Sequence, residues 1–112
     1  MSKVRQINLE QGRPTVEEAV RRMKNELSTA KMSGCKAAIL IHGYGSSGTG
    51  GAIKPAVCKA LSEPVLVGIV RDWVAGENWQ SKKNVFLATC PMLKEQGKQI
   101  DGNLGITVVL LK

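Results

Sequence analysis

The sequence predicts an α/β fold, a two-layer sandwich of helices on a mixed sheet in the order β-α-β-α-β-(α)-β. Three observations predict it. Residues 37–41 form an unbroken apolar run, which is typical of a central strand with a parallel neighbour. A helix with a strong start signal precedes this run, and a β-prone segment at residues 105–111 closes the chain.

The first half of the chain predicts a right-handed βαβ unit. Residues 4–9 alternate loosely between apolar and polar side chains, as a short strand does. Thr15 and Glu18 have the spacing of a capping box, apolar residues follow at helical spacing, and Gly34 suits the end of that helix. Residues 36–41 are the second strand, and a connection of this length favours parallel pairing.

The second half predicts a shorter helix and two further strands. The helix is expected to begin near Ala52, because Pro55 fits only a first turn, and either Pro64 or Gly68 suits its end. The remaining expectations are a third strand at 69–75, a turn at 76–79, a helix at 82–90 ended by Pro91, a polar and turn-rich stretch at 92–103, and a last strand antiparallel to a neighbour.

The composition fits one domain, residues 1–112, with a basic surface. Sixteen Lys and Arg against nine Asp and Glu give a net charge of +7, which favours a polyanionic partner such as DNA or RNA. Aromatic residues are only 4%, too few for a protein that binds single strands mainly by base stacking. Trp73, Trp79 and Phe86 are expected to pack inside the fold rather than to anchor a protein partner.

The cysteines and the N-terminus point to the cytoplasm. Cys35, Cys58 and Cys90 lack the spacing of metal-ligand pairs and the chain has one histidine, so no metal site is expected from them. Free thiols suit a reducing compartment. There is no apolar signal segment and no run near the ~20 residues of a membrane span, so no membrane partner is expected.

A glycine-rich loop joins the second strand to the second helix. Strand, glycine loop and helix N-terminus together form an anion site from backbone N–H groups, and Lys54 adds a full charge. We expect a phosphate or phosphodiester here. A flexible connector, with a histidine held only by a backbone carbonyl, is the structural alternative. The expected binding residues of the loop are His42, Gly43, Tyr44, Gly45, Ser46, Ser47, Gly48, Thr49, Gly50 and Gly51.

Three motif interpretations of the loop compete. Residues 43–48 match the G-x-G-x-x-G of dinucleotide folds, but they follow the second strand, and no acidic residue ends the next strand. A P-loop and a nucleophile elbow are absent, because neither Gly-Lys-Ser/Thr nor G-x-S-x-G occurs. A nucleic-acid backbone site uses the loop, the histidine and the net charge together.

Three segments resemble the Smr domain family, found at the C-terminus of certain MutS-related proteins and as stand-alone chains. The sequence IHGYG at 41–45 resembles the family's H-G-x-G motif, TVEEA at 15–19 its first-helix start, and GITVVL at 105–110 its closing strand. The resemblance spans residues 4–111, with an insertion at about 76–103. It implies an α/β sandwich that binds DNA or RNA and, in some members, nicks DNA or cleaves RNA.

One family motif is altered in this chain. The family's L-D-x-H at the end of the first strand corresponds to Ile7-Asn8-Leu9-Glu10, so Asn8 replaces the acid and Glu10 replaces the histidine. Glu10 keeps the capacity to act as a base or to help hold a divalent ion. Binding therefore carries over from the family more safely than catalysis does.

Three functions follow as hypotheses. The first is a nucleic-acid-binding domain in which the loop, Lys54 and Arg13 hold the phosphodiester backbone. The second is an endonuclease, with or without a divalent metal ion, that uses His42 as general acid or base and Glu10 as its partner. The third is a protein that binds a small nucleotide or phosphate at the same loop. None of them implies an organic cofactor.

Overall fold

Four strands form one mixed sheet in this computed structural model, which describes residues 3–12, 14–43 and 50–112. The strand order is β1-β2-β4-β3, with β1 parallel to β2 and β4 antiparallel to both of its neighbours. The expected antiparallel last strand is thereby confirmed, and it lies inside the sheet with all six residues buried. The strands are β1 (Lys3–Asn8), β2 (Cys35–Ile41), β3 (Val70–Ala75) and β4 (Ile106–Leu111).

Helices and short 3₁₀ turns connect the strands. The helices are α1 (Val16–Met32), α2 (Gly50–Leu61), α3 (Trp79–Thr89) and α4 (Gly97–Ile100), and the 3₁₀ turns are Pro64–Leu66, Gly76–Asn78 and Pro91–Gln96. No helix within the described ranges is both long and apolar enough to cross a bilayer.

Helices cover both faces of the sheet. On one face, α1 and α2 pack over Ala38 and Leu40 of β2; on the other, α3 and the segment after it pack over Ile39. The α/β class and the mixed sheet are confirmed, but the sandwich has a second helical layer. The stretch at 92–103, expected to be polar and turn-rich, places fully buried Leu93 and Ile100 in that layer. Two apolar residues seven apart are too sparse a pattern to predict it.

The helix boundaries show which local sequence signals were sufficient to predict where a helix begins or ends. The capping box of α1 is confirmed: the Glu18 N–H donates to Thr15 Oγ1 at 3.1 Å, and the Thr15 N–H donates to Glu18 Oε1 at 3.0 Å. Gly34 has a φ of 85°, as a helix-ending glycine does. The expected start of α2 is wrong by two residues, since the helix begins at Gly50 and Pro55 lies in its second turn. Because proline has no backbone N–H, Pro55 removes one backbone hydrogen bond close to the start of α2, and the helix continues through it.

The predicted aromatic packing is confirmed for two of the three rings. Trp79 and Phe86 are 1% and 0% exposed and meet edge to face, with ring centroids 5.9 Å apart. Trp73 is partly buried against the core between the sheet and helices α1 and α2. Because Trp79 begins α3, this helix starts three residues before the expected Lys82.

Strand pairing brings four strand ends to one edge of the sheet. Asn8 at the end of β1 pairs with Ile41 at the end of β2, and Ile41 pairs with Ile106 at the start of β4. Ala75 at the end of β3 pairs with Thr107, also at the start of β4. Residues that follow β1, β2 and β3 therefore gather around the beginning of β4.

Candidate functional site

The chain leaves β2 in a fixed conformation at the start of the glycine loop. The backbone N–H groups of His42 and Gly43 both donate to the Gly105 carbonyl, at 2.9 and 3.1 Å. Gly43 has a φ of 77°, in the left-handed region that favours glycine. The space beside it is also occupied, since a Cβ added at Gly105 would lie 3.2 Å from the Gly43 Cα. The loop is thus clamped where it starts.

His42 is fully buried, and both of its ring nitrogens have protein partners. Nδ1 lies 3.2 Å from the Gly43 carbonyl and Nε2 lies 2.9 Å from Thr107 Oγ1. A carbonyl only accepts, so Nδ1 carries the proton, and Nε2 accepts from the Thr107 hydroxyl. The imidazole ties the loop to β4 and presents no free nitrogen.

The environment of His42 favours the neutral ring. Burial is the largest effect and lowers its pKa below the ordinary 6.5. The bond to the Gly43 carbonyl raises the pKa, the Lys54 charge lowers it and the Glu77 charge raises it, and the net shift is downward. A neutral ring with one N–H is the form that the two hydrogen bonds require.

Thr107 is the buried partner of His42 Nε2 and was not among the residues predicted for the site. Burial, the largest effect, raises the pKa of the Cys58 thiol on α2 and keeps it protonated. Thr107 is fully buried, and its hydroxyl acts in the opposite direction and lowers the pKa of the Cys58 thiol. The available signal was a hydroxyl within an otherwise apolar buried strand, since buried hydroxyls need partners.

Glu10 reaches the glycine loop from the end of β1. The Asn8 amide oxygen accepts from the Glu10 N–H at 2.8 Å and from the Gln11 N–H at 3.2 Å, which forms a tight turn. Arg22 donates to the Gln11 carbonyl at 2.9 Å and holds this turn. The Glu10 carboxylate lies over Gly43 so closely that a Cβ there would be 2.3 Å from Glu10 Oε2. The structure therefore places Glu10 beside the residue that follows His42.

Lys54 of α2 forms an ion pair with Glu77, in the 3₁₀ turn after β3. The two side chains are 24% and 35% exposed. Lys54 was expected to bring a full positive charge to the loop, but the Glu77 carboxylate neutralises part of that charge. Both charges act on the pKa of His42: the Lys54 ammonium lowers it and the Glu77 carboxylate raises it.

The second end of the loop is the N-terminus of α2. Gly50 and Gly51 are the first two residues of this helix, and its first turn has no acidic residue. The positive end of the helix dipole is therefore not compensated by a carboxylate of its own helix. The other expected loop residues, Tyr44, Gly45, Ser46, Ser47, Gly48 and Thr49, and also Arg13, lie outside the described residues.

The described part of the chain offers no ready metal centre, since no three His, Cys, Asp or Glu residues in it come together as ligands. Glu10 places one carboxylate over the start of the loop. The described residues of this candidate site are therefore the two ends of the loop, His42 with Gly43 and the start of α2, together with the Glu10 carboxylate over Gly43.

Comparison with solved structures finds the same fold in the crystal structure of the Smr domain of Thermus thermophilus MutS2. The TM-score is 0.60 and the identity 23%, over 96% of this chain and 98% of that one. No curated protein matches the chain by sequence. The family model of the Smr domain matches residues 10–112, and the chain thus belongs to the Smr domain family.

Proposed function

We propose that this chain is a single-domain, cytoplasmic protein that binds DNA or RNA by the phosphodiester backbone, at the loop between β2 and α2. One observation carries the proposal. The loop runs from a clamped strand end, His42 and Gly43, to a helix start at Gly50 with no acid in its first turn. A helix start without an acid of its own attracts an anion, which on this proposal is a phosphate of the nucleic-acid backbone.

The charge of the chain supports a polyanion rather than a neutral ligand. The net charge is +7, and the ion pairs within the described residues occupy only Arg5, Lys54 and Lys82 of its sixteen basic side chains. On this proposal a phosphate bound at the loop competes with the Glu77 carboxylate for Lys54, whose charge acts on the pKa of His42.

Binding to short DNA and RNA, measured by fluorescence anisotropy across a range of salt, tests the proposal. Affinity should fall steeply with salt, by a slope of about 0.7 to 0.9 for each phosphate contacted. Lys54→Gln should weaken binding, whereas Lys36→Gln removes the same charge at the opposite end of β2 and should leave it nearly unchanged. No binding of either polymer at low salt would refute the proposal. Binding of mononucleotides alone would favour the small-nucleotide alternative.

Cleavage is a second candidate function, and the carboxylate over Gly43 favours it. In that role Glu10, rather than the enclosed His42, is the group placed to meet a strand in the loop. Under this hypothesis His42 has a positioning role, because its Nδ1–H donates a hydrogen bond to the Gly43 carbonyl. Nicking of plasmid DNA or cleavage of structured RNA should then be lost in Glu10→Gln while binding is kept. Equal cleavage by wild type and Glu10→Gln would identify a contaminating nuclease.

A further inference from the structure

A groove lies on the sheet face opposite α1 and α2, between α3 and the segment at 94–101. It encloses about 460 Å³. The residues of each wall are spaced about one helical turn apart, so they share one side of their segment. They are Trp79, Lys83 and Leu87 from α3, facing Lys94, Lys98 and Asp101. We call this feature the lysine groove.

The lysine groove carries an excess of positive charge. Lys83 is half-buried, and Lys94 and Lys98 are exposed. Across the described ranges, none of the three has a carboxylate within ion-pair distance. The single acid of the walls, Asp101, accepts a hydrogen bond from Gln80 Nε2 at 2.8 Å. Three unpaired ammonium groups against one carboxylate favour an anionic occupant.

The groove begins at the sheet edge that carries the glycine loop. Trp79 at its near end stands two residues after Glu77, the partner of Lys54. Asp101 at the same end precedes Gly102, whose N–H donates to the Gly76 carbonyl at 3.0 Å. A strand that reached Lys54 at the loop would therefore have the mouth of the groove next to it.

The walls favour a phosphate backbone over a base or a nucleotide. The Trp79 ring is 1% exposed and packs on Phe86, so it offers no face on which a base could stack. Lysine ammonium groups are compact point charges that bind phosphate without demanding one geometry. We propose that the lysine groove binds the phosphodiester backbone of the nucleic-acid strand held at the loop, an inference that rests on the proposed function.

The test compares two double variants that each remove two positive charges. Lys94→Gln/Lys98→Gln alters the groove, and Lys24→Gln/Lys59→Gln alters α1 and α2 on the other face. Affinity for one oligonucleotide is measured across salt for wild type and both variants. The groove variant should lose about 1.4 from the salt slope on a single strand, or about 1.8 on a duplex, because two phosphate contacts disappear. The control should keep the wild-type slope.

The outcomes separate this inference from the proposed function. If wild type binds and both double variants keep the wild-type salt slope, the groove makes no phosphate contact. The inference is then overturned while the loop proposal stands. If wild type binds no nucleic acid at low salt, both are refuted. Thermal denaturation of each variant accompanies the titrations, and exposed Lys94 and Lys98 should be replaceable without loss of folding.

Discussion

Replacing Gly76 with alanine is expected to destabilise the fold by about 3 kcal/mol. Gly76 directly follows β3, and an added Cβ would lie 2.3 Å from the Asn103 carbonyl oxygen and 2.7 Å from the Ile100 carbonyl oxygen. Ordinary carbon–oxygen contacts are about 3.3 Å or longer, so the backbone at 100–103 would have to retreat by roughly 1 Å. Neither neighbour is a flexible side chain that could turn away.

The magnitude follows from the kind of atoms displaced. Overpacking a well-packed site costs about 1–3 kcal/mol, and displacement of two backbone carbonyls puts this case at the upper end. For a domain of this size, about 3 kcal/mol lowers Tm by roughly 12 °C. The shift also strains the bond from the Gly102 N–H to the Gly76 carbonyl, which joins the α4 segment to the sheet edge.

Thermal and urea denaturation followed by circular dichroism measure the effect. Gly68→Ala is the matched control, because a Cβ there meets nothing within 4 Å and its stability should change by about 0.5 kcal/mol or less. A Gly76→Ala protein whose Tm lies within about 2 °C of the Gly68→Ala protein would refute the packing argument.

Three further perturbations probe the site itself. Thr107→Val removes the hydroxyl that donates to buried His42 Nε2 and should cost about 1–3 kcal/mol in urea denaturation, while Thr107→Ser should keep most of the stability. The folded pKa of His42 lies below the ordinary 6.5, so the unfolded chain binds more protons than the folded chain does. The stability that neutral His42 contributes is fully present above about pH 6.5 and is lost as pH falls through the folded pKa. His42→Gln should remove this contribution to the pH dependence of the urea midpoint. Gly43→Ala and Gly102→Ala, at φ 77° and 73°, should each cost about 1 kcal/mol, but only the first displaces the Glu10 carboxylate, which ¹³C NMR of Glu10 would detect.

The sequence predicted best those features that neighbouring residues determine. Thr15 and Glu18 satisfy each other within one turn, and Gly34 ends the helix by its own backbone freedom, so no distant contact was needed to infer α1. The second helical layer depends on long-range packing instead. Leu93 and Ile100 become core residues only because the other face of the sheet needs a cover, and their local sequence is polar.

The same division applies to the site. The end of β2 at Ile41, directly before the glycine loop in the sequence, followed from the strand pattern and is where the structure has it. The enclosure of His42 could not be inferred, because its partner Thr107 is sixty-five residues away and meets it only through the antiparallel placement of β4. The pairing of Lys54 with Glu77 is equally non-local. The sequence alone therefore predicts a reactive histidine at the glycine loop, and only the contact with Thr107 on β4 shows that its Nε2 is occupied.

The altered first motif moves a carboxylate rather than removing one. The family pattern has an acid followed two residues later by a histidine, whereas this chain has Asn8 followed by Glu10, so each version carries one carboxylate. Asn8 uses its amide oxygen to accept two backbone N–H groups, a task that an acid at this position could also perform. That turn directs the Glu10 carboxylate onto Gly43. The imidazole of the motif has no replacement, and His42 has no free nitrogen to take its place. Among the described residues, therefore, no imidazole nitrogen is free to pair with the Glu10 carboxylate as acid and base, and cleavage, if tested, is expected to depend on Glu10 rather than on His42.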